Sequence, residues 1–176
     1  MNQQEITLGG GCFWCLEAVY ELVDGVVAVE SGYSNGHVKN PSDAQVCEGT
    51  TGHNEVVRVS FDAERISLRE VLEIFFHIHD PTTLNRQGND VGTQYRSGIY
   101  VHGAEQETVA RAVLAEAQEA HRSQVVTEIL PLDNYSAAEA HHQQYYANHP
   151  EQGYCAFVVA PKVEKFRRTF KARVKA

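Results

Sequence analysis

Residues 5–20 have the sequence EITLGGGCFWCLEAVY. Residues 5–8 alternate apolar and polar side chains, which predicts a β-strand, and from Leu16 onward apolar residues recur at spacings of three and four, which predicts a helix. Three glycines precede Cys12, so this cysteine falls where the strand passes into the helix. Because a helix N-terminus carries unpaired N–H groups and the positive end of the helix dipole, the position favours a reactive thiolate.

Length and composition predict one globular domain. The chain has 176 residues, of which 43% are apolar, and this is enough for one hydrophobic core. We therefore expect a single domain over residues 1–176, with the segment from about 147 to 176 either mobile or wrapped around the core. No stretch approaches the roughly 18 consecutive apolar residues of a membrane span.

Cysteine usage and the first residues of the chain indicate a reducing compartment. Residues 1–5 show neither the basic start nor the apolar run of a signal peptide, which favours a cytoplasmic location. In that compartment four cysteines are expected as thiols with chemical or metal-binding roles, not as a disulfide framework.

Charge is distributed unevenly along the chain. The net charge is −8, but residues 161–176 contain seven Lys or Arg against one Glu, a local charge of +6, which leaves −14 for residues 1–160. An acidic body of this kind argues against nucleic acid as the main partner. The basic terminal segment could be a patch for an acidic partner, but a solvated terminal helix is the favoured interpretation.

The order of predicted elements indicates an α+β fold. Strands are predicted at 5–8, 26–31, 55–61, 97–101 and 125–130. Helices are predicted to start near Cys12, at a capping box Ser67–Glu70, at 104, at a second capping box Ser136–Glu139, and at Pro161. This order predicts a ferredoxin-like two-layer α/β sandwich with a split βαβ core, long loops and extra C-terminal helices.

Two long polar stretches, 32–52 and 80–96, lack the periodicity of helices or strands. Connections of that length are uncommon in compact domains and are often functional. Glu55 follows the first stretch, and burial behind such a loop would raise the pKa of its carboxyl and make it a proton donor near neutral pH. Asp90 and Tyr95 lie in or beside the second stretch, within a run dense in hydrogen-bonding groups that predicts a binding loop.

The spacing Cys12-x-x-Cys15 leaves three kinds of chemistry open. It fits a single reactive cysteine, a thioredoxin-like dithiol, or half of a zinc site. Zinc needs about two more ligands, and Cys47 and Cys155 are isolated from each other, so no metal site is expected. The nine histidines also form no ligand pattern. Cys155, close to the C-terminal end, could supply the second thiol that a sulfenic-acid mechanism requires.

Taken together, these motifs resemble the A-type peptide methionine sulfoxide reductases, the class specific for the S epimer of the sulfoxide. The matching blocks span nearly the whole chain in the order expected for that family. They are residues 11–14 (GCFW), 51–57 (TGHNEVV), 80–90 (DPTTLNRQGND), 92–97 (GTQYRS), 153–155 (GYC) and 160–162 (APK).

The resemblance implies a role for each matched side chain. It implies that Cys12 attacks the sulfoxide sulfur and that Glu55 protonates the sulfoxide oxygen. It also implies that Tyr95 binds that oxygen and that Asp90 fixes water and substrate. Substrate-binding positions would be filled by Phe13 and Trp14 as walls of an apolar pocket for the methyl group, and by Tyr33 and His53.

The resemblance further implies the partners of the reaction. The oxidised cysteine would form a disulfide with a second thiol, and thioredoxin or another dithiol would reduce it, with no metal or organic cofactor. Oxidised proteins and free methionine sulfoxide would be the substrates. The protein would act as a single catalytic domain, expected to be a monomer, with no role for membranes.

Two positions depart from the family pattern. Many members have glycine where this chain has Cys15, and some have a tyrosine in the long loop where this chain has Asp43. The second hydroxyl donor is therefore missing at that position, and Tyr33 is a candidate to replace it. Cys155 matches the resolving cysteine of the family and is favoured over Cys15, while no obligatory role is expected for Cys47.

Two other functions stay open on the residues alone. A dithiol–disulfide oxidoreductase would use Cys12 and Cys15 and would need no proton donor at Glu55. A thiol-based binding or zinc module would hold metal tightly and would show no turnover.

Overall fold

The computed structural model describes residues 2–175, and its central feature is a sheet built around the first strand. Among the described residues, six strands form one sheet in the order β7-β6-β1-β3-β2-β8. All neighbours run antiparallel except β6 and β7, which are parallel. The strands are β1 Gln3–Gly9, β2 Val26–Ser34, β3 Asn54–Asp62, β6 Gly98–Val101, β7 Glu128–Pro131 and β8 Ser136–Ala137, and the two-residue strands β4 Arg86–Gln87 and β5 Asp90–Val91 pair separately.

Helices cover this sheet and pack on one another. Helix α1 contacts β2 and β3, and also α5 and α6, while α3 contacts α4 and α6. The mixed α/β architecture is confirmed, and the ferredoxin-like plan in its details stays a prediction. The helices are α1 Phe13–Tyr20, α2 Asp43–Cys47, α3 Leu68–Ile78, α4 Ala104–Glu119, α5 Tyr145–Asn148 and α6 Ala160–Thr169.

Local sequence signals account for several of these boundaries. The capping box that begins α3 is present, because Ser67 Oγ accepts the Glu70 N–H at 3.1 Å and the Glu70 carboxylate accepts the Ser67 N–H at 3.2 Å. Strand β3 is buried along nearly its whole length, as expected for a strand with a neighbour on each side. Helix α1 ends at Tyr20, earlier than the apolar spacing through Val23 predicts.

The second predicted capping box, Ser136–Glu139, is wrong. Ser136 and Ala137 pair with the edge of β2, and the Glu139 carboxylate accepts hydrogen bonds from Tyr33 and from the Asp43 backbone instead of closing a box. Pairing with an open strand edge satisfies more backbone groups than one local cap does, so tertiary structure overrides the local signal. The helix expected through Tyr146 is reduced to a 3₁₀ turn at 140–142 and to the single turn α5.

The loop between β2 and β3 is partly regular. Strand β2 extends to Ser34, and α2 forms within the stretch predicted to lack periodic structure. This helix has its own capping box, in which the Ser42 hydroxyl accepts the Gln45 N–H at 3.2 Å and Gln45 Oε1 accepts the Ser42 N–H at 2.9 Å. The box fixes the first turn of α2, and the Asp43 N–H of that turn donates to the Glu139 carboxylate at 3.1 Å.

The C-terminal segment packs into the core. A wide π-helical turn over Cys155–Val159 leads directly into α6, where Pro161 lies in the first turn as predicted. Val159, Val163 and Phe166 are buried, and α6 contacts α1 and α3. In the described range 2–175, no helix has the length and apolar character needed to cross a membrane.

We expect Phe166→Ala to lower the free energy of unfolding by about 3–5 kcal/mol, because the ring is fully buried between helices and its removal leaves a cavity. Urea denaturation followed by circular dichroism measures the change. Phe157→Ala is the matched control, since that ring is 83% exposed and its removal should cost less than about 0.5 kcal/mol. A loss below about 1 kcal/mol for Phe166→Ala would contradict the packing of α6 into the core.

Candidate active site

The pairing of the central strands brings the predicted site residues together. Gly9, the last residue of β1, pairs with Val56 on β3 and with Gly98 on β6. Cys12 follows Gly9 by three residues, Glu55 precedes Val56, and the loop that ends in β6 carries the other predicted groups. All these segments therefore leave the sheet at the same end.

A cavity of about 250 Å³ opens at this end of the sheet. Aromatic side chains form much of its wall, and titratable groups enter it from the surrounding loops. Six of the residues predicted from the sequence line it: Cys12, Phe13, Trp14, Glu55, Asp90 and Tyr95.

The glycine run before Cys12 is required by close packing. Gly11 has a positive φ of 91°, a conformation that L side chains rarely adopt. A Cβ atom there would lie 2.9 Å from Cγ of Gln87. The Gly11 N–H donates to the Tyr95 carbonyl at 3.2 Å, which ties the start of α1 to the loop that carries Tyr95.

Cys12 is the N-cap residue of α1 and is half-buried. Burial raises the pKa of its thiol well above the ordinary value, and the nearby Glu55 and Cys15 raise it further. The Trp14 N–H at the helix start lowers this pKa, but it does not outweigh burial. The helix start therefore does not by itself bring the pKa of Cys12 below its ordinary value, and the role of Cys12 as a reactive cysteine stays a prediction.

Glu55 is held next to the cysteine by a backbone contact. Its side chain is 4% exposed, and its Oε1 accepts the Phe13 N–H at 3.3 Å. Burial raises the pKa of this carboxyl to about 8, the Phe13 N–H opposes that rise, and the carboxylates of Asp43 and Asp90 add to it. At neutral pH the carboxyl therefore carries its proton and can donate it into the cavity.

Asp90 and Tyr95 enter from the polar loop between α3 and β6. An Asp90 oxygen, Oδ2, accepts the Tyr154 hydroxyl at 2.6 Å. Tyr95 ends a 3₁₀ turn, and burial together with the nearby Glu55 raises the pKa of its phenol, so the hydroxyl stays a hydrogen-bond donor.

Aromatic rings form the apolar wall. Phe13 is 1% exposed, and its ring centroid lies 5.7 Å from that of Tyr33 and 5.4 Å from that of His142. Trp14 stacks on Tyr145 with centroids 3.8 Å apart and planes 7° apart. Phe13 and Trp14, which flank Cys12 in the cavity lining, are thus each packed against a further ring.

Two predicted substrate-binding residues lie outside the lining of this cavity. The Tyr33 hydroxyl donates to Glu139 Oε1 at 3.1 Å, and its oxygen lies 3.4 Å from Asp43 Oδ1. His53 is 1% exposed, and its Nε2 lies 2.5 Å from the Val38 carbonyl oxygen. The Tyr33 hydroxyl and the His53 Nε2 atom are thus engaged by the long loop and its neighbours, and both side chains help to hold this loop in place.

Four residues line the cavity although the sequence did not assign them to it: Asp43, Cys47, His142 and Tyr154. Asp43 Oδ1 is the centre of a small network, 3.5 Å from His142 Nε2 and 3.7 Å from Cys47 Sγ. In the sequence, Asp43 stands out only because some family members have a tyrosine at that position. Tyr154 stands out only because it precedes Cys155 in a family motif. His142 lies in the 3₁₀ turn at 140–142, where the sequence predicts a helix. No sequence pattern therefore indicates that it lines the cavity.

Within residues 2–175 all four cysteines are free thiols in different surroundings. Cys15 is buried in the first turn of α1, and its N–H donates to the Cys12 carbonyl at 3.1 Å. Cys155 is fully buried, and its N–H donates to Gln152 Oε1 at 3.1 Å. Cys47 is exposed and borders the cavity. No cluster of three or more His, Cys, Asp or Glu suited to a metal occurs in this described range.

Comparison with known proteins identifies the family. A sequence profile described as peptide methionine sulfoxide reductase matches residues 4–174. The chain belongs to this family. Its members are oxidoreductases, and the recognition made from the sequence motifs is confirmed.

Individual members of the peptide methionine sulfoxide reductase family are similar over almost the full length. The protein named peptide methionine sulfoxide reductase MsrA from Saccharolobus solfataricus is 54% identical over 169 residues, which cover 96% of this chain and 96% of the relative. The crystal structure of Mxr1 from Saccharomyces cerevisiae in reduced form has a TM-score of 0.82 at 37% identity, covering 88% of this chain and 90% of that one. Mxr1 from the same organism in complex with Trx2 has a TM-score of 0.58 at 28% identity, covering 82% and 85%.

The raised pKa of Glu55 predicts how stability depends on pH. The folded protein holds this proton more tightly than the unfolded chain, so the contribution of Glu55 to stability falls as pH rises from about 4.5 to about 8. Glu55→Gln removes that loss and leaves an acceptor for the Phe13 N–H. We expect the variant to gain up to roughly 4 kcal/mol relative to wild type between pH 5 and pH 9.

Urea denaturation of both proteins at pH 5, 7 and 9 measures this difference. Glu105→Gln, an exposed position on α4, is the control and should follow wild type at every pH. Parallel stability curves for wild type and Glu55→Gln would contradict a buried, protonated carboxyl.

Proposed function

We propose that this protein reduces methionine S-sulfoxide, free and within oxidised proteins, to methionine, with Cys12 as the nucleophile. The observation that carries the proposal is the buried Glu55 carboxyl, whose pKa burial raises to about 8, in the same small aromatic-walled cavity as the Cys12 thiol. Reduction of a sulfoxide needs these two groups together, because the oxygen leaves sulfur only when it is protonated.

In the first step the Cys12 sulfur attacks the sulfoxide sulfur while Glu55 gives its proton to the oxygen. The carboxylate that results accepts the proton of the Cys12 thiol, so the reactive thiolate forms during attack and Glu55 ends as it began. The attack forms a bond between the two sulfur atoms. The sulfur–oxygen bond of the substrate and this sulfur–sulfur bond then break as the hydroxyl group passes to the Cys12 sulfur, so methionine leaves and Cys12 becomes a sulfenic acid, Cys–SOH. One oxygen atom moves from substrate to enzyme, and two electrons move from Cys12 to the substrate sulfur.

The other cavity residues match the polar oxygen and the apolar methyl group of a methyl sulfoxide. The Tyr95 hydroxyl would bind the oxygen, and Asp90, fixed by Tyr154, would orient substrate and water. The rings of Phe13 and Trp14 would contain the methyl group, since apolar rings bind an apolar group without desolvation of any polar atom. Tyr154, to which the family resemblance assigned no role, would position Asp90 through their hydrogen bond.

Asp43 supports the acid, although it stands where some family members have a tyrosine. Its carboxylate faces the same cavity and contributes to the raised pKa of Glu55. A second anion near Glu55 favours the neutral carboxyl, so more of the protein carries the proton that the leaving oxygen needs.

In the second step Cys155 would attack the sulfenic acid. The two thiols form a disulfide, and the sulfenic oxygen leaves as water. Cys155 is buried in the wide π-helical turn, so this turn must rearrange to bring the sulfur to Cys12. Thioredoxin, or a small dithiol in its place, would return the disulfide to two thiols, and the Mxr1 complex with Trx2 supports this for a relative.

We expect Cys12→Ser to abolish reduction of methionine S-sulfoxide, and Glu55→Gln to slow methionine release about 100-fold, because the leaving oxygen then lacks its proton donor. Wild-type activity should fall as pH rises through about 8, where Glu55 loses its proton. Single-turnover release of methionine without reductant measures both effects, since no added thiol titrates in the same range.

The exposed Glu105→Gln variant is the matched control and should keep the wild-type rate and profile. Reduction of the S epimer by Cys12→Ser would contradict the proposed function. An unchanged rate and alkaline decline in Glu55→Gln would remove Glu55 from the mechanism.

The resolving step is tested by Cys155→Ser against Cys15→Ser. We expect Cys155→Ser to release one methionine per protein at the normal rate and then to lose about tenfold or more of its thioredoxin-dependent turnover, because the sulfenic acid has no partner thiol. A sulfenic-acid-specific label followed by mass spectrometry should mark Cys12 in this variant. If Cys15→Ser stalls instead, the resolving thiol is Cys15, and a dithiol mechanism within α1 takes its place.

A further inference from the structure

A second buried carboxyl, Glu17, lies outside the lining of the catalytic cavity and takes no part in the proposed reaction. It belongs to α1, and its side chain is 1% exposed. Because a buried carboxyl is costly unless hydrogen-bond donors surround it, the partners of Glu17 indicate what this side chain does.

Three donors from two separate segments meet the Glu17 carboxyl. The Ser31 hydroxyl on β2 donates to Glu17 Oε2 at 3.2 Å. The backbone N–H groups of Gln144 and Tyr145, at the start of α5, also bond to this carboxyl. Burial raises the pKa of Glu17 to about 7 and the nearby Glu21 adds to the rise, while the three donors oppose it. Two successive N–H groups of one short segment therefore converge on Glu17.

The backbone of that segment is in a costly conformation at this contact. Gln144 has φ 54° and ψ 35°, the left-handed region that residues other than glycine rarely adopt. Such a conformation persists only where the surrounding contacts hold it. The Gln143 side-chain amide bonds to the Ser31 N–H at 2.9 Å and to the Ser31 carbonyl at 2.8 Å. Residues 143–145 are therefore fixed to β2 through Gln143 and to α1 through Glu17.

The same segment carries the ring that covers Trp14. Tyr145 stacks on Trp14 with centroids 3.8 Å apart, and Trp14 lines the catalytic cavity. Trp14 and Glu17 are three residues apart on α1, so they lie on the same face of the helix. This face contacts Tyr145 twice, through the indole against its ring and through the carboxyl against its N–H.

We propose that Glu17 is a positioning residue, which holds Tyr145 against Trp14 and so fixes the apolar wall of the catalytic cavity. The proposal rests on the proposed function, because this wall matters to catalysis only if it receives the methyl group of the sulfoxide. Loss of the acceptor oxygens frees the backbone of the segment, and the Tyr145 ring then leaves Trp14. Substrate binds more weakly as a result, while the chemistry at Cys12 and Glu55 is unchanged.

Trp14 is the only tryptophan in the sequence, so intrinsic tryptophan fluorescence reports on this contact alone. Glu17→Met removes the acceptor oxygens and keeps an unbranched side chain of similar length. We expect it to raise the Stern–Volmer constant for acrylamide quenching about twofold at pH 7, because unstacking exposes the covered face of the indole. Glu17→Gln keeps one acceptor oxygen and should restore most of the wild-type value.

Kinetics of the first turnover separate binding from chemistry. Methionine release at increasing concentrations of methionine S-sulfoxide gives a half-saturating concentration and a maximal rate. We expect Glu17→Met to raise the half-saturating concentration about fivefold, the effect of one aromatic pair, and to change the maximal rate less than about twofold. An unchanged half-saturating concentration, or a loss confined to the maximal rate, would overturn the proposal.

A double-mutant cycle tests whether Glu17 acts through Tyr145. Tyr145→Ala removes the stacked ring directly and should raise the quenching constant and the half-saturating concentration at least as much as Glu17→Met does. Glu17→Met/Tyr145→Ala should add nothing to Tyr145→Ala, because both changes remove the same contact. Additive effects would mean that Glu17 acts elsewhere, and the proposal would be wrong.

Val113→Ala is the control for lost stability, since Val113 is buried on α4, which packs on α3, β6 and β7. It should keep the wild-type quenching constant and half-saturating concentration. Equal shifts in Val113→Ala and Glu17→Met would show that destabilisation alone moves both readouts, which overturns the proposal.

Two further comparisons complete the test. If Glu17→Met does not fold, Glu17→Asp, which draws the carboxyl back by one methylene, takes its place with the same expected directions. If wild type does not reduce methionine S-sulfoxide, the proposed function fails, and the quenching comparison, which needs no activity, still shows whether Glu17 holds Tyr145. If wild type is active and the Glu17 variant matches it in both readouts, this proposal fails alone.

Discussion

The site depends on one contact, the hydrogen bond from the Phe13 N–H to the buried carboxyl of Glu55. This N–H is one of the unpaired donors at the start of α1, so the same helix start that carries Cys12 also fixes the acid beside it. Burial then keeps the proton on Glu55 at neutral pH. The Cys12 thiol and the Glu55 proton donor therefore line the same cavity.

The sheet makes this contact possible. Because Gly9 has neighbours on both β3 and β6, the ends of three strands are fixed relative to one another. The Gly11 backbone then lies against Gln87 and bonds to the Tyr95 carbonyl, so the polar loop is attached to the helix start as well. The stacking of Trp14 on Tyr145 supports the apolar wall of the pocket.

Much of the fold and the site could be predicted from the sequence, and the failures have physical causes. The capping box at Ser67 was predicted because both partners lie within four residues. The capping box predicted at Ser136 does not form, because Ser136 pairs with the edge of β2 and Glu139 accepts a hydrogen bond from the distant Tyr33 hydroxyl. No local sequence pattern reveals these long-range contacts. Tyr33 itself was expected in the substrate pocket and instead anchors the loop, since its hydroxyl was already taken.

The sequence by itself determined which chemical groups are available and most of the elements that carry them, because residue identity, alternation and helix capping are local properties. Only the tertiary structure decided the protonation of Glu55, the neutral Cys12 thiol, and the entry of Tyr154 and Asp43 into the pocket. The partners in these contacts are far apart in the chain, 42 residues for Phe13 and Glu55 and 64 for Asp90 and Tyr154. Burial and proximity of such pairs exist only after the chain has folded, and they set the pKa values on which the chemistry depends.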